Sequence, residues 1–484
     1  MKHSNTFAWL FAAILFTHNS ATFAGDTGAS SKLPDKPIIE TKTEANPLCF
    51  LDGKLCFDVQ DRLRFEAREN TFDFNDSVDA LNDDSFLLQR FRIGAAFKPT
   101  DWLKFYAQGQ DTREFFSERP NIPGALGAEG DDTFDLRQGY VQIGPKSWNI
   151  TAGRQTLVYG DERLIGTSDW NNFGRTFDAV KLYFETGKMT TIDLFTSTVV
   201  NIYRHSFDQS DLFNGTETHR DLVFSGIYFS TGAVEPITLD FYALGLDQAR
   251  GNDANFEGIL GLPPAGSAGG NPMARTDFVT LGTRIKGDPK KLGGFEYEGE
   301  FAFQKGEVAD LDLTAFAAHI GGGYNFDCPW KPRLFAEYNF ATGDDNPTDS
   351  DNGTFQNLFP TNHKFYGFMD LFSWQNLHNP ELSLKAKPYK QVGLEADLHG
   401  FWLADTNDAW YRANGVTKVR PITPASRNAD SYVGAETDLV ITYQPVKFLT
   451  LVAGYSHFFA GDYLKATGPS DDADFGYVQS TVSF

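Results

Sequence analysis

"LLQRFRIGAAFKPTDWLKFYAQGQD" spans residues 87–111. In its first half Leu87, Phe91, Ile93, Ala95 and Phe97 fall on one face, and Arg90, Arg92 and Lys98 on the other. After the tight connection "KPTDW" (98–102), Lys104, Tyr106, Gln108 and Gln110 share the polar face of a second run. Alternation with period two marks strands that are apolar on one side and polar on the other.

The same signature recurs along the chain. In "VQDRLRFEAR" (59–68), Val59, Leu63, Phe65 and Ala67 oppose Gln60, Arg62, Arg64, Glu66 and Arg68. In "FEYEGEFAFQ" (295–304), Phe295, Tyr297, Gly299, Phe301 and Phe303 oppose Glu296, Glu298, Glu300 and Gln304. Short connections fall at 98–102, 144–148, 185–189, 231–236, 287–294, 327–332, 386–390 and 444–448. Between them lie long segments rich in Asp, Asn and Gly, near 69–84, 113–133, 158–177, 200–220, 247–275, 343–375, 404–431 and 461–473; one, near 306–312, is short.

Strict alternation of short turn and long loop predicts an all-β fold: a transmembrane antiparallel up-and-down β-barrel with periplasmic turns and extracellular loops. Eight turns and nine loops make about 18 strands. Trp102, Trp148, Trp330 and Phe448 sit at or beside the turns, as an interfacial girdle requires. The chain ends "FGYVQSTVSF", with Val478, Ser480, Val482 and Phe484 on one face and Tyr477, Gln479 and Thr481 on the other. An amphipathic last strand with an aromatic final residue fits the same fold. A secreted β-sandwich or solenoid is the alternative, but neither needs the asymmetry between turns and loops.

The start of the chain agrees with export. "MKHSNTFAWLFAAILFTHNSATFAGD" has a basic start, an apolar run from Phe7 to Phe16 and "ATFA" before Gly25, so residues 1–24 read as a signal peptide. A membrane anchor is the competing reading, and the run is short for one. Residues 25–56 form a lead-in, Ser/Pro/Lys-rich and disordered over 25–47, with a possible hairpin at its end; the barrel occupies 57–484. Asp52-Gly53 is a favoured two-residue turn that places Cys49 opposite Cys56, a geometry open to a disulfide without requiring one. Cys328 is left over and is expected to be a buried thiol near a turn. No Cys/His grouping suggests zinc. A net charge of −22 argues against nucleic acid.

If the apolar faces meet lipid, the polar faces line a lumen. One wall offers Arg62, Arg64, Arg68, Arg90, Arg92 and Lys104. A facing wall offers Glu296, Glu298, Glu300, Arg333, Glu337 and Asn339, followed by Glu395, Asp397, His399, Glu436 and Asp438. Opposed rows of charge create a transverse field and a filter, and arginine forks suit carboxylates and sugar hydroxyls. The competing reading is that these charges pair among themselves. No cofactor is expected. Asp345, Asp349 and Asp351 in "DDNPTDSDNGTF" (344–355) could hold Ca²⁺, although an acidic solvated loop explains them as well. A barrel enzyme needs a nucleophile beside a base; His399 is the best base, and no serine with a local signature accompanies it.

The stretch "GRQTLVYGDERLIGTSDW" (153–170) mixes Arg154, Asp161, Glu162 and Arg163 with glycines and aromatics. Its position predicts the fifth strand running into a compact outer surface loop from about Val158 rather than a catalytic bed. Strict alternation from Trp148, Ile150 and Ala152 would aim Arg154 into lipid, at a cost of about 2–4 kcal/mol near mid-bilayer. A bulge at Gly153 that turns Arg154 inward is therefore expected.

Taken together, the chain resembles the alginate-export family of outer-membrane β-barrel porins. The matching stretches are "RIGAAFKPTDWLKFYAQGQD", "DLRQGYVQIG", "AGRQTLVYGDERLIG", "WNNFGRTFDAVKL", "ATGDDNP…GTFQNLFPTNHKFYGFMD" and "VGLEADLHGFWLAD". The resemblance implies an 18-stranded barrel in the outer membrane, not an enzyme, with an arginine-bearing conduit for an anionic exopolysaccharide. It points to Arg92, Arg137 and Arg154 as family arginines, and departs at Thr156, where an exporter can carry another basic residue. The implied surroundings are outer-membrane lipid and lipopolysaccharide, the barrel-assembly machinery and periplasmic export components. An uptake porin, general or sugar-specific, would share the fold.

Overall fold

A computed structural model describes residues 48–77, 83–117, 130–187, 189–203, 206–210, 222–248, 275–415, 417–420 and 422–484. The expected signal peptide and the lead-in up to residue 47 lie outside the described residues, as do 118–129 and 249–274 of two long loops.

Eighteen long antiparallel strands form one closed barrel. They are β1 (Leu55–Glu69), β2 (Asp84–Thr100), β3 (Leu103–Phe115), β4 (Asp132–Ile143), β5 (Trp148–Gln155) and β6 (Phe177–Glu185). Next come β7 (Thr190–Val199), β8 (Leu222–Thr231), β9 (Ile237–Gln248), β10 (Thr276–Gly287), β11 (Phe295–Val308) and β12 (Leu311–Asn325). The last are β13 (Arg333–Ala341), β14 (Leu377–Tyr389), β15 (Val392–Trp402), β16 (Tyr432–Val446), β17 (Leu449–Ala460) and β18 (Ala473–Ser483). Each pairs with its neighbour in sequence, and β18 closes onto β1 from Gln60↔Ser483 to Glu69↔Asp474. Closure leaves no open sheet edge, as a lipid environment demands.

The alternation in the sequence becomes the two sides of this wall. Leu63, Ile93, Phe97, Phe301 and Phe303 are exposed on the outside, while Arg62, Arg64, Arg90 and Arg92 are buried on the inside. Outward rings on adjacent strands pack together: Phe97 stacks on Phe105, and Phe301 lies tilted against Phe316. Trp102, Trp148, Trp330 and Phe448 are all exposed at the turn end, forming the expected girdle. Phe484 joins it, stacking on Phe448 at 5.2 Å, and its amide donates to the Val59 carbonyl.

Four expectations need correction. Cys49 does face Cys56, and the two form a disulfide, but the pairing Phe50↔Leu55 leaves a four-residue connection instead of a two-residue turn. Leu51, Asp52 and Gly53 all take positive φ there. Cys328 is exposed, because the 327–332 connection holds it clear of the barrel. The interior is not uniformly polar: Phe177, Phe195, Phe224, Leu244, Leu246 and Phe278 face inward and join one apolar core with residues from the long loops.

The fourth concerns β5. Its ladders with β4 and β6 run unbroken through Gly153. The extra residue lies one strand earlier: Gln108 pairs with Gln138 and Gly109 with Leu136, leaving Arg137 bulged. Arg154 therefore stays on the face of Ile150 and Ala152. It is shielded from lipid by other means. Asp178, opposite it on β6, accepts from its Nε at 3.0 Å and Nη2 at 3.2 Å, and the Leu136 carbonyl accepts from Nη1 at 2.9 Å. The segment 206–210 covers the pair, with the Phe207 ring 5.4 Å from the guanidinium and Ser210 Oγ donating to Asp178.

Candidate functional site

The third loop, 156–176, runs into the lumen and crosses it as a strap. Its apolar residues cause this. Leu157, Leu164 and Ile165 are buried in the interior core, which no loop lying in water could provide. The seventh loop, 342–376, also turns in, bringing Phe355, Phe359, Phe365, Tyr366, Phe372 and Trp374 into the same core. The two loops pair in parallel at Ile165↔Phe359: the Phe359 amide donates to the Leu164 carbonyl at 2.8 Å and the Gly166 amide to the Phe359 carbonyl at 2.7 Å. Phe359 then packs on Phe177 and Phe224 of the wall.

Opposed charge clusters anchor both ends of the strap. At one end Asp161 accepts from Arg284 Nε at 2.9 Å and Lys286 Nζ at 3.0 Å, both on β10. Burial opposes ionisation of Asp161, yet Arg284 and Lys286 hold its carboxyl below the usual range. Two residues on, the Arg163 guanidinium reaches the acidic wall. It donates to Asn339 at 3.0 Å and Glu337 at 3.2 Å, lies 3.3 Å from His319 Nε2, and sits over the Phe365 ring.

At the other end five arginines from the basic wall converge on residues 169–171. Asp169 Oδ2 accepts from Arg90 at 2.8 Å, and its Oδ1 from Arg92 at 2.6 Å, Arg90 at 3.1 Å and Arg137 at 3.2 Å. Arg62 and Arg90 donate to the Asp169 carbonyl, and Arg64 to the Trp170 carbonyl at 2.7 Å. Burial would raise the Asp169 carboxyl, but Arg90, Arg92 and Arg137 keep it well below the usual range. Gly174, at φ +70°, lies against this cluster; a Cβ there would press on Arg137, Arg92 and Asp169. The Trp170 ring is sandwiched between the Arg64 guanidinium at 3.7 Å and the His363 ring at 3.8 Å.

The remaining residues expected at the site distribute as follows. Lys104 stands nearer the turn end, donating to Tyr140 Oη at 3.0 Å. Glu298 pairs with Lys286 at 2.9 Å, Glu395 with Lys385 at 2.5 Å and Glu296 with Arg333 at 2.6 Å. Asp397 and Asp438 face each other across β15 and β16, next to His399, whose Nε2 lies 3.4 Å from Asp438. Glu436 accepts the Met369 amide from the seventh loop at 3.0 Å. His399 is thus held among carboxylates, with Glu381 at 3.7 Å from its Nδ1. Asp345, Asp349 and Asp351 are exposed. Among the described residues, Glu298, His319 and Glu337 are instead the side chains that approach metal-ligand spacing, and Arg163 already supplies a cation there.

Arg62, Arg64, Arg90, Arg92 and Arg137 are therefore capped by the strap, each at most 6% exposed, while Arg68 pairs with Glu66 and Arg333 with Glu296 away from it. Sequence reasoning missed their main partner, Asp169, along with Asp161, Arg163, Arg284 and His319 as strap anchors. The available signal was the apolar content of a supposed surface loop: Leu157, Leu164, Ile165 and Trp170 lie among its charges.

A family model described as alginate export matches residues 54–478. The chain belongs to the alginate-export family. Solved structures show the same barrel. Pseudomonas aeruginosa OccK5 (OpdH) matches at TM-score 0.56 and 10% identity, covering 90% of this chain and 99% of that one. P. aeruginosa OpdK with vanillate matches at 0.55 and 10%, covering 88% and 98%, and P. aeruginosa OprD at 0.53 and 11%, covering 90% and 96%. No curated protein matches by sequence. The alginate-export family and this porin fold are those of passive outer-membrane channels.

Proposed function

We propose that this alginate-export family member conducts an anionic saccharide, foremost an exopolysaccharide leaving the cell, through the lumen of the barrel. The observation that carries the reading is the convergence of Arg62, Arg64, Arg90, Arg92 and Arg137 on one point inside the wall. Buried guanidinium forks in a low-dielectric conduit favour carboxylates over neutral or cationic groups. The acidic row from β11 to β16 opposes them and would keep a polyanion on the basic side while it moves. Outer-membrane lipid, lipopolysaccharide and periplasmic export components are the proposed surroundings.

Planar-bilayer recording tests the reading. The open channel is expected to prefer anions, and the double variant Arg90→Ala, Arg92→Ala to lose that preference. A wild-type channel without anion preference, or a double variant that keeps it, refutes the role of the arginines. Inward movement of a small carboxylate is a second reading, suggested by the vanillate in the OpdK structure. Growth that depends on an external carboxylate, and fails when this gene is deleted, would favour it.

A further inference from the structure

The arginine cluster is already holding a carboxylate, and that carboxylate belongs to the strap. Arg90 grips Asp169 as a fork, Nη2 to Oδ2 at 2.8 Å and Nη1 to Oδ1 at 3.1 Å, and Arg92 completes the grip at 2.6 Å. A fork of this kind matches a planar two-oxygen anion. Asp169 is shared by Arg90, Arg92 and Arg137, and Glu66 by Arg64 and Arg68. Arg62 Nε, Arg64 Nη2 and Arg90 Nε are buried and meet no acceptor among the described residues. The cradle therefore has more donors and more positive charge than the strap uses. The tip that carries Asp169 is a narrow turn, closed by Arg175 N donating to the Thr167 carbonyl at 2.6 Å and Asn171 N to the Ser168 carbonyl at 3.1 Å. Asp161, Arg163 and the Phe359 pairing anchor the strap independently of this tip.

We propose that Asp169 is a built-in ligand of the site that binds one carboxylate of the solute. The strap presents its own copy of the group that Arg90, Arg92 and Arg137 recognise, and a uronate-type carboxylate takes the cradle by displacing Asp169 and freeing the tip at 168–174. This rests on the anionic-saccharide reading above. It also favours polymers: an attached carboxylate competes at an effective concentration on the order of mM, which a single free acid matches poorly and a chain of many carboxylates matches well.

The test uses the full-length protein in detergent, with galacturonate trimer as probe and glucose trimer as the neutral control. Asp169→Asn keeps the side-chain shape and removes the competing charge, so galacturonate trimer is expected to bind about tenfold more tightly to it than to the wild type. Glucose trimer should show no such gain, and adding Arg92→Ala should cancel it. The unmutated protein supplies a second readout that does not depend on a variant folding. Galacturonate trimer, but not glucose trimer, should speed hydrogen exchange at the Asn171 and Arg175 amides. Equal affinity in wild type and Asp169→Asn, or exchange unmoved by saturating galacturonate, overturns the proposal. If anion preference still depends on Arg90 and Arg92, the functional reading survives that result. If galacturonate and glucose trimers bind alike to every form, both fall together.

Discussion

Replacing Arg163 with Met keeps a long side chain over Phe365 and removes the guanidinium. Arg163 is 1% exposed, and its loss leaves Glu337 without the 3.2 Å donor and Asn339 Oδ1 without the 3.0 Å donor it now accepts from. Stripping one partner from a buried ion pair costs about 3–5 kcal/mol, because the remaining charge stays out of water. The penalty falls on docking of the strap, since an undocked strap lets water reach Glu337. At about 1.4 kcal/mol per factor of ten, the ratio of docked to undocked strap drops by roughly two to three and a half powers of ten. The amides that report docking are those of Gly166, which donates to Phe359, and of Phe359 and Thr361, which donate to Leu164 and Glu162. Hydrogen exchange read by mass spectrometry over 157–167 and 355–364 should therefore speed up by about a hundredfold or more, with strand amides unaffected. Bilayer recordings of the variant should show larger or more frequent openings. Protection changed by less than about tenfold, with wild-type conductance, would mean that the apolar core alone seats the strap and that the charge anchors are incidental.

The remaining predictions concern the ion pairs at the two ends of the strap and at β5. Asp161 and Asp169 both have carboxyls held below their ordinary value. Their contribution to docking is fully present above the unfolded value near 3.9 and is lost as pH falls below it toward the docked values. Exchange protection of the strap should then be level from pH 7 to about 4 and decline under more acid conditions; loss of docking between pH 7 and 5 would contradict this. Asp178→Asn removes the counter-charge of Arg154 on the outward face, so the barrel should lose its heat-resistant gel mobility at a lower temperature. The double variant Arg154→Leu, Asp178→Leu should recover the loss, because an apolar pair carries no desolvation penalty there. A variant Asp178→Asn as heat-resistant as wild type would show that Arg154 needs no partner.

Much of this architecture is legible in the chain, and the reason is local. Lipid on one side and a lumen on the other impose period two on every strand, so Leu63 beside Arg64, or Ile93 beside Arg92, already states which way each points. Turn length is equally local: "KPTDW" can only be a tight return, and the eight such returns set the strand number. The position of Cys49 opposite Cys56 follows from a six-residue spacer. What the tertiary structure alone decided is where the loops go. Nothing periodic separates a polar loop that lies in water from one that lies across a lumen. Asp169 meets Arg62 across 107 positions and Asp161 meets Arg284 across 123, and contacts at that separation leave no mark on either segment. The same holds for Arg154: alternation correctly assigned its face, yet only packing by 206–210 and pairing with Asp178 show how a charge is tolerated there. Strand direction is written in neighbouring residues, whereas the partner of a buried charge is chosen by whichever distant group offers the strongest hydrogen bonds once water is gone.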